Sequence, residues 1–182
     1  MAQDTLSRSL HDVGLAAWFG GTLANAVALN PASAEADTAN GTGRVANRGW
    51  NRWTPVNATA IGAHLVGSVG ELVGNKSRLA TQQGVGTMSV VKTALTGAAL
   101  AVTGYSRALG RKVNQDTSVP ALAGTEPATS TPEDVAKAQK KLAALQWVVP
   151  ALTGALIIVS SFAGEQQRPS AVKKGILARF TG

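Results

Sequence analysis

The fold is decided by residues Leu10–Asn30, which read LHDVGLAAWFGGTLANAVALN. This stretch is long and apolar enough for a helix that crosses a membrane, because about 20 apolar residues span the hydrocarbon core. It also carries His11, Trp18 and Asn25 at a spacing of seven residues. That spacing is close to two helical turns and puts all three side chains on one face. We therefore predict a membrane-spanning helix whose polar stripe faces partner helices.

The composition of the 182-residue chain favours a single membrane domain. Charged residues make up 15% of the chain, whereas an average soluble domain has about 25%. The net charge of +7 would suggest a nucleic-acid partner in a soluble protein. Here the basic residues flank apolar blocks, so we expect them to meet anionic lipid headgroups and expect no nucleic acid. The absence of cysteine excludes disulfides, thiolate metal sites and a cysteine nucleophile.

Three further apolar blocks supply the partner helices. We predict membrane spans over 10–30, 55–74, 85–105 and 142–164, polar links over 31–54, 75–84 and 106–141, and a basic tail over 165–182. The predicted fold class is therefore an all-α, four-helix membrane bundle. An even number of spans puts both termini on one side of the plasma membrane, and the distribution of basic residues favours the cytoplasm.

Proline and turn residues set the expected boundaries of the first link. Proline cannot continue a helix, so the first span should end at Asn30-Pro31. Asn40-Gly41 predicts a turn, and Pro55 suits the first turn of the second helix. A short surface helix is expected around three regularly spaced arginines, Arg44, Arg48 and Arg52.

The fourth helix should be longer than the membrane is thick. Thr131 is the predicted N-cap and Pro132 the first-turn residue. The helical pattern continues for about 34 residues, or about 50 Å, against a hydrocarbon core of about 30 Å. We expect its first turns to extend outside the membrane and Pro150 to kink it near the point of entry.

Two further sets of residues are expected to organise the bundle. Helix-packing positions, most of them glycines that let backbones approach closely in lipid, are Gly14, Trp18, Gly21, Gly67, Gly70, Gly74 and Gly97. Aromatic anchors at the headgroup level are Trp50, Trp53, Tyr105 and Trp147.

A candidate polar cluster lies within the predicted spans. Its members are His11, Asp12, Asn57, His64, Glu71 and Lys92. An ionised side chain at mid-span costs about 2.5–3.5 kcal/mol on insertion scales, so these groups should pair inside the bundle. Two hypotheses follow: the groups satisfy one another and fix helix register, or they form a site for a proton, an ion or a small ligand.

Metal or haem ligation by His11 and His64 is a further alternative, because imidazole suits several transition metals. Helical rise places the two side chains at depths that differ by about 12 Å, which argues against one ion meeting both. We therefore predict no metal and no cofactor. The sequence has no H-E-x-x-H or G-x-S-x-G motif, and no enzyme is predicted.

One short run also resembles a known family. HDVGLAAWFGG, at 11–21, is similar to the first span of small four-span bacterial proteins related to the copper-resistance D-like group. The resemblance covers His11, Trp18, Gly20 and Gly21, together with the four-span layout. It implies an integral membrane protein connected with metal or haem handling. The Ala-, Gly-, Val- and Arg-rich composition resembles that of high-GC actinobacterial proteins.

Three functions of different classes are compatible with these patterns. The first expectation is a structural or accessory component of a larger membrane assembly, with membrane-protein partners or further copies of the chain. The second is a small transporter or channel that uses the intramembrane His/Glu/Lys cluster. The third is a haem- or metal-binding membrane protein.

Overall fold

The computed structural model describes residues 5–114, 119–166, 168, 172–173 and 177–178. These residues are predominantly helical, which confirms the predicted all-α class. The basic tail over 165–182 lies largely outside the described residues. The elements are α1 (Thr5–Ala24), a π-helical turn (Asn25–Leu29), α2 (Asn30–Ala32), a 3-10 turn (Ser33–Glu35), α3 (Ala39–Gly74), α4 (Lys76–Thr81), α5 (Val85–Val113), β1 (Ala121–Ala123), β2 (Glu126–Pro127) and α6 (Glu133–Glu165).

Three helical segments are long and apolar enough to cross a membrane. They are Thr5–Glu35, Val85–Val113 and Glu133–Glu165. They contain the first, third and fourth predicted spans. The helix α3, which contains the second predicted span, is not among these three segments. Its apolar half is rich in glycine, alanine and polar side chains, which lowers its hydropathy.

The predicted end of the first span at Asn30-Pro31 is wrong, because the helix continues to Glu35. Proline lacks an N–H group and crowds the preceding turn of an α-helix. The chain widens into a π-helical turn just before Pro31, where the Asn30 N–H donates to the Asn25 carbonyl. Pro31 then lies in the first turn of α2, where a missing N–H is tolerated.

The first link is also more helical than expected, because α3 is one continuous helix of 36 residues. The predicted turn at Asn40-Gly41 is wrong. The Thr38 hydroxyl caps the helix by accepting a hydrogen bond from the Gly41 N–H at 3.0 Å. Pro55 lies inside the helix and does not begin it. The three regularly spaced arginines of this link are helical, as expected, but they belong to α3.

The remaining links contain structure that the sequence did not indicate. The link over 75–84 contains α4, and α5 extends beyond the predicted span to Val113. An antiparallel hairpin of β1 and β2 lies within the predicted irregular link over 106–141. The long fourth helix is confirmed, although Thr131 does not cap it. Its hydroxyl donates to the Pro120 carbonyl at 2.6 Å, and Pro132 occupies the N-cap position.

The long helices pack as two pairs. One pair is α1 with α3 and the other is α5 with α6, and contacts between α1 and α6 join them. Trp18, Ala99 and Val149 form a buried cluster that links the pairs. The helices α3 and α5, both fully described, do not pack closely along their length. A groove therefore runs between them.

Glycines allow α1 and α3 to touch backbone to backbone. A Cβ atom at Gly14 would overlap the Ala60 carbonyl oxygen, and one at Gly67 would overlap the His11 backbone nitrogen. Two other predicted packing positions, Gly21 and Gly70, also lie at the interface of α1 and α3. By contrast, Gly97 has open space around its missing side chain and Gly74 is exposed, so neither of these predicted positions packs closely against another described helix of the chain.

The glycine at position 67 should therefore be essential to the fold. We expect Gly67→Ala to lower the free energy of unfolding by about 1–3 kcal/mol, because the added methyl group forces the two backbones apart. The matched control is Gly62→Ala on the same helix, where nothing lies within 4 Å of the added atom. The control should be neutral or stabilise by up to about 1 kcal/mol. Thermal unfolding of both variants in detergent, followed by circular dichroism, measures the difference, and equal melting temperatures would contradict the prediction.

Candidate functional site

His11 and Asp12 form a pair in which one nitrogen of the imidazole is left without a partner. The His11 side chain is 1% exposed, and its Nδ1 lies 2.8 Å from Asp12 Oδ1. An ionised carboxylate only accepts hydrogen bonds, so Nδ1 carries the proton and donates it. In the neutral ring Nε2 is then a bare acceptor. It is buried and has no hydrogen-bond partner among the described residues.

His64 differs from His11 because both of its nitrogens are engaged. Nδ1 lies 3.4 Å from the His11 carbonyl oxygen and can only donate to it. Nε2 lies 3.4 Å from the Thr96 hydroxyl and accepts from it. The side chain is fully buried. His64 thus connects α3 with both α1 and α5, and this arrangement suits a structural role.

The predicted depth difference of about 12 Å between the two histidines is wrong, because their ring centroids lie 4.6 Å apart. The helix α1 begins at Thr5, before the predicted start of the first span, so the predicted boundary does not mark the start of the helix. The antiparallel packing of α1 and α3 then places His11 beside Gly67 and brings His64 alongside.

A carboxylate–ammonium pair joins α3 and α5 next to the histidines. Lys92 Nζ donates to Glu71 Oε2 at 3.1 Å, and this bond confirms that these two members of the predicted cluster pair. The two side chains are 19% and 21% exposed, respectively. The pair is therefore partly buried, and it compensates the charge of each side chain between the two helices.

One cavity of about 430 Å³ between α1, α3, α5 and α6 is lined by His11, Asp12, Glu71 and Lys92, whereas His64 lies beside His11 outside its wall. One ligand atom each from His11, Asp12 and Glu71 lies within 4.8 Å of the others. Lys92 and Arg8 line the same cavity, so two basic side chains balance the two carboxylates. Ser160 of α6 also lines it, and its hydroxyl has no partner among the described residues. Sequence analysis missed Ser160, although a serine in the middle of an apolar helix was a signal for it.

Asn57, the remaining member of the predicted cluster, lies elsewhere. It lines a second cavity between α3 and α5, beside Trp53. The structure therefore brings five of the six predicted residues together and leaves Asn57 out.

The predicted aromatic anchors divide into two groups. Tyr105 and Trp147 are 47% and 49% exposed, as suits side chains at a membrane surface. Trp50 turns inward instead and donates from its indole to Asn30 Oδ1 at 2.9 Å. The ring of Trp53 packs over Gly21 of α1. Trp18, a predicted packing residue, is fully buried.

The helix α4 closes the bundle on the side of the charged cavity. Arg78 donates to the Gln166 carbonyl at 3.0 Å and thereby ties α4 to the end of α6. Burial lowers the pKa of the Arg78 guanidinium, and the nearby charge of Arg8 lowers it further. At the opposite end of the bundle, a hydrogen bond from Lys112 holds the pKa of the Asp134 carboxyl below its ordinary value.

Comparison of this chain with family models, with curated proteins and with solved structures finds no match in any of the three. The resemblance to the copper-resistance D-like group therefore stays a prediction.

Proposed function

We propose that this chain is a small integral membrane protein in which α3 is a fourth spanning helix. The antiparallel packing of α3 against α1 supports this proposal, because α1 belongs to a segment with the length and apolar character of a span. The outward face of α3 is apolar and suits lipid. Its exposed members are Val56, Leu65, Val66, Val69, Leu72 and Val73.

The four-span arrangement can be tested on the natural chain because it has no cysteine. Single cysteines would replace Asp37, Gln83 and Leu122, all of which are exposed. We expect Asp37→Cys and Leu122→Cys to react with a membrane-impermeant maleimide in intact cells. Gln83→Cys should react only after permeabilisation, because the proposed termini and second link are cytoplasmic. Labelling of positions 37 and 83 from the same side would show that α3 does not cross.

The site supports proton binding at His11, as part of a small proton-linked transporter or channel. The single observation that carries this proposal is the buried, unpartnered Nε2 of an imidazole whose Nδ1 is held by Asp12. Histidine gains and loses a proton near neutral pH, and its surroundings readily move that transition. Ionisable groups inside a membrane protein are typical of proton and ion pathways.

The geometry also supports exchange of that proton with the surroundings. The Asp12 side chain is 60% exposed, whereas His11 beside it is almost fully buried. The pair therefore connects the protein surface with the interior. Asp12, Glu71 and Lys92 line the same cavity as His11, so charged side chains surround the imidazole.

Proton movement through the reconstituted protein tests the proposal. We expect vesicles containing the protein and a trapped pH-sensitive dye to dissipate a pH gradient faster than empty vesicles. His11→Gln should abolish the difference, because the amide cannot take up a proton. Asp12→Asn should slow the flux by at least about tenfold, because it removes the group that orients the imidazole. Ser161→Ala, on an exposed position of the cavity wall, is the control and should retain flux. Equal flux in the natural protein and in folded His11→Gln would indicate a structural cluster, as expected of an accessory component.

A divalent metal ion is the second candidate ligand, favoured by the proximity of His11, Asp12 and Glu71. An imidazole nitrogen with two carboxylates is a ligand set that zinc accepts. Lys92 opposes such a site because its ammonium already binds Glu71. A haem or metal held by both histidines has less support, because both nitrogens of His64 are engaged.

Zinc binding measured by calorimetry in detergent separates this candidate from proton binding. We expect Lys92→Met to tighten zinc binding by at least about tenfold, because the variant frees Glu71 and removes a positive charge. The double variant Lys92→Met with His11→Ala should lose that binding. If neither the natural protein nor Lys92→Met binds zinc, the metal hypothesis is contradicted. The proposal of proton binding at His11 would not be affected.

A further inference from the structure

The groove between α3 and α5 contains a cavity that the charged site does not use. We call it the interfacial cavity. Its volume is about 390 Å³, within the range of about 300–1,000 Å³ that is usual for ligand pockets. Leu100 lines both this cavity and a neighbouring one of about 600 Å³ farther along the groove. The two together provide an elongated space along α3 and α5.

The wall of the interfacial cavity is apolar at its inner end and mixed at its outer end. The inner end, toward the middle of the predicted spans, is lined by Ile61, Leu100 and Val149. The outer end, beside the β-hairpin, has the polar side chains Asn47, Asn51, Arg107, Asn114, Thr125 and Gln146 together with the apolar Val113, Leu142 and Leu145. An occupant that matches this wall has an apolar part directed into the bundle and a polar part directed outward.

Five polar side-chain atoms of residues that line this cavity have no partner in the part of the chain that the structure describes. Asn47 Nδ2, Trp53 Nε1, Thr103 Oγ1 and Ser106 Oγ can donate, whereas Asn57 Oδ1 can only accept. A buried polar group without a partner is unfavourable, so this cluster indicates a missing counterpart. Because donors outnumber the one acceptor, the counterpart should be rich in acceptor oxygens and should also carry a donor.

The outer end is also positively charged. Arg107 makes one long contact, 3.5 Å from Nη1 to Asn51 Oδ1, and belongs to no ion pair of the described residues. Arg111 follows it by one helical turn on α5, and Arg52 adjoins Asn51 on α3. Guanidinium groups bind phosphate with paired hydrogen bonds. The charge at this end therefore complements an anionic headgroup.

We propose that the interfacial cavity binds an anionic glycerophospholipid. Its phosphate would meet Arg107, its glycerol and ester oxygens would accept from the unpartnered donors, and one acyl chain would follow the α3–α5 groove past Leu100. The inference rests on the proposed membrane-spanning arrangement and uses no contact with His11, although Glu71 and Lys92 line both the neighbouring cavity of about 600 Å³ and the cavity of His11.

Native mass spectrometry of the full chain, released from nanodiscs, tests the proposal. The probes are palmitoyl-oleoyl phosphatidylglycerol and the corresponding phosphatidylcholine. We expect one phosphatidylglycerol molecule to survive collisional activation that strips the other lipids. Gly104→Leu places a side chain in the cavity and should reduce this occupancy by at least about tenfold. Gly86→Leu is the matched control, because it lies on the same helix, also has open space around it and does not line the cavity.

Arg107→Gln should reduce the preference for phosphatidylglycerol by about fivefold, the effect of one basic residue on an anionic lipid.

The outcomes separate this proposal from the alternatives. Equal retention in Gly104→Leu and Gly86→Leu, with both variants folded, would overturn the proposal and indicate non-specific surrounding lipid. Equal retention of phosphatidylcholine and phosphatidylglycerol would overturn the assignment of an anionic headgroup. A dimer mass that Gly104→Leu abolishes would assign the groove to a second copy of the chain and overturn the lipid. A failure of the cysteine-labelling test would instead contradict the proposed membrane arrangement. That test does not depend on the variants at positions 86, 104 and 107.

Discussion

Backbone contact between α1 and α3 is the constraint on which the rest of the structure depends. At Gly14 and Gly67 the helices approach so closely that a methyl group would meet backbone atoms of the opposite helix. In lipid, helix association gains little from the hydrophobic effect and depends on this kind of tight packing. The contact determines the register of the pair and therefore places the rings of His11 and His64 4.6 Å apart. The packing of α1 against α3 therefore determines which side chains meet in the site.

That register gives two chemically identical side chains different properties. His64 connects three helices through its two nitrogens, and its environment leaves it no spare acceptor. His11 lies on the neighbouring helix α1, in the wall of a polar cavity. Its Nε2 has no hydrogen-bond partner among the described residues. The neighbouring charges of Glu71 and Lys92 are paired across α3 and α5. Carboxylates and basic groups balance in this cavity, so its charges are compensated within the protein.

Much of the architecture could be predicted from sequence, but its boundaries could not. Apolar blocks identified the long helices, and charge placement identified the contact between Glu71 and Lys92. The local rules for Pro31 and Pro55 failed because the helical segments accommodate both prolines. A π-helical turn precedes Pro31, and Pro55 lies inside α3, where the hydroxyls of Thr54 and Thr59 donate to the carbonyls of Trp50 and Pro55. The predicted separation of His11 and His64 was wrong because hydropathy marks where a span is apolar and does not give the register of two packed helices.

The interfacial cavity could not be predicted from the sequence for a different reason. Asn57 and Trp53 were visible in the sequence as a cluster member and a surface anchor, but their shared cavity exists only because α3 and α5 diverge. That divergence follows from the two helix pairs, each of which satisfies its own packing and meets the other mainly through α1, α6 and Trp18. Side-chain contacts bridge the groove near both ends, at Glu71–Lys92 and at Asn51–Arg107. In a membrane, a groove of this kind must be filled by lipid or protein, because an apolar space of this size open to acyl chains does not stay empty. The same tight α1–α3 contact that assembles the charged site therefore leaves the opposite face of α3 free to hold an amphiphile.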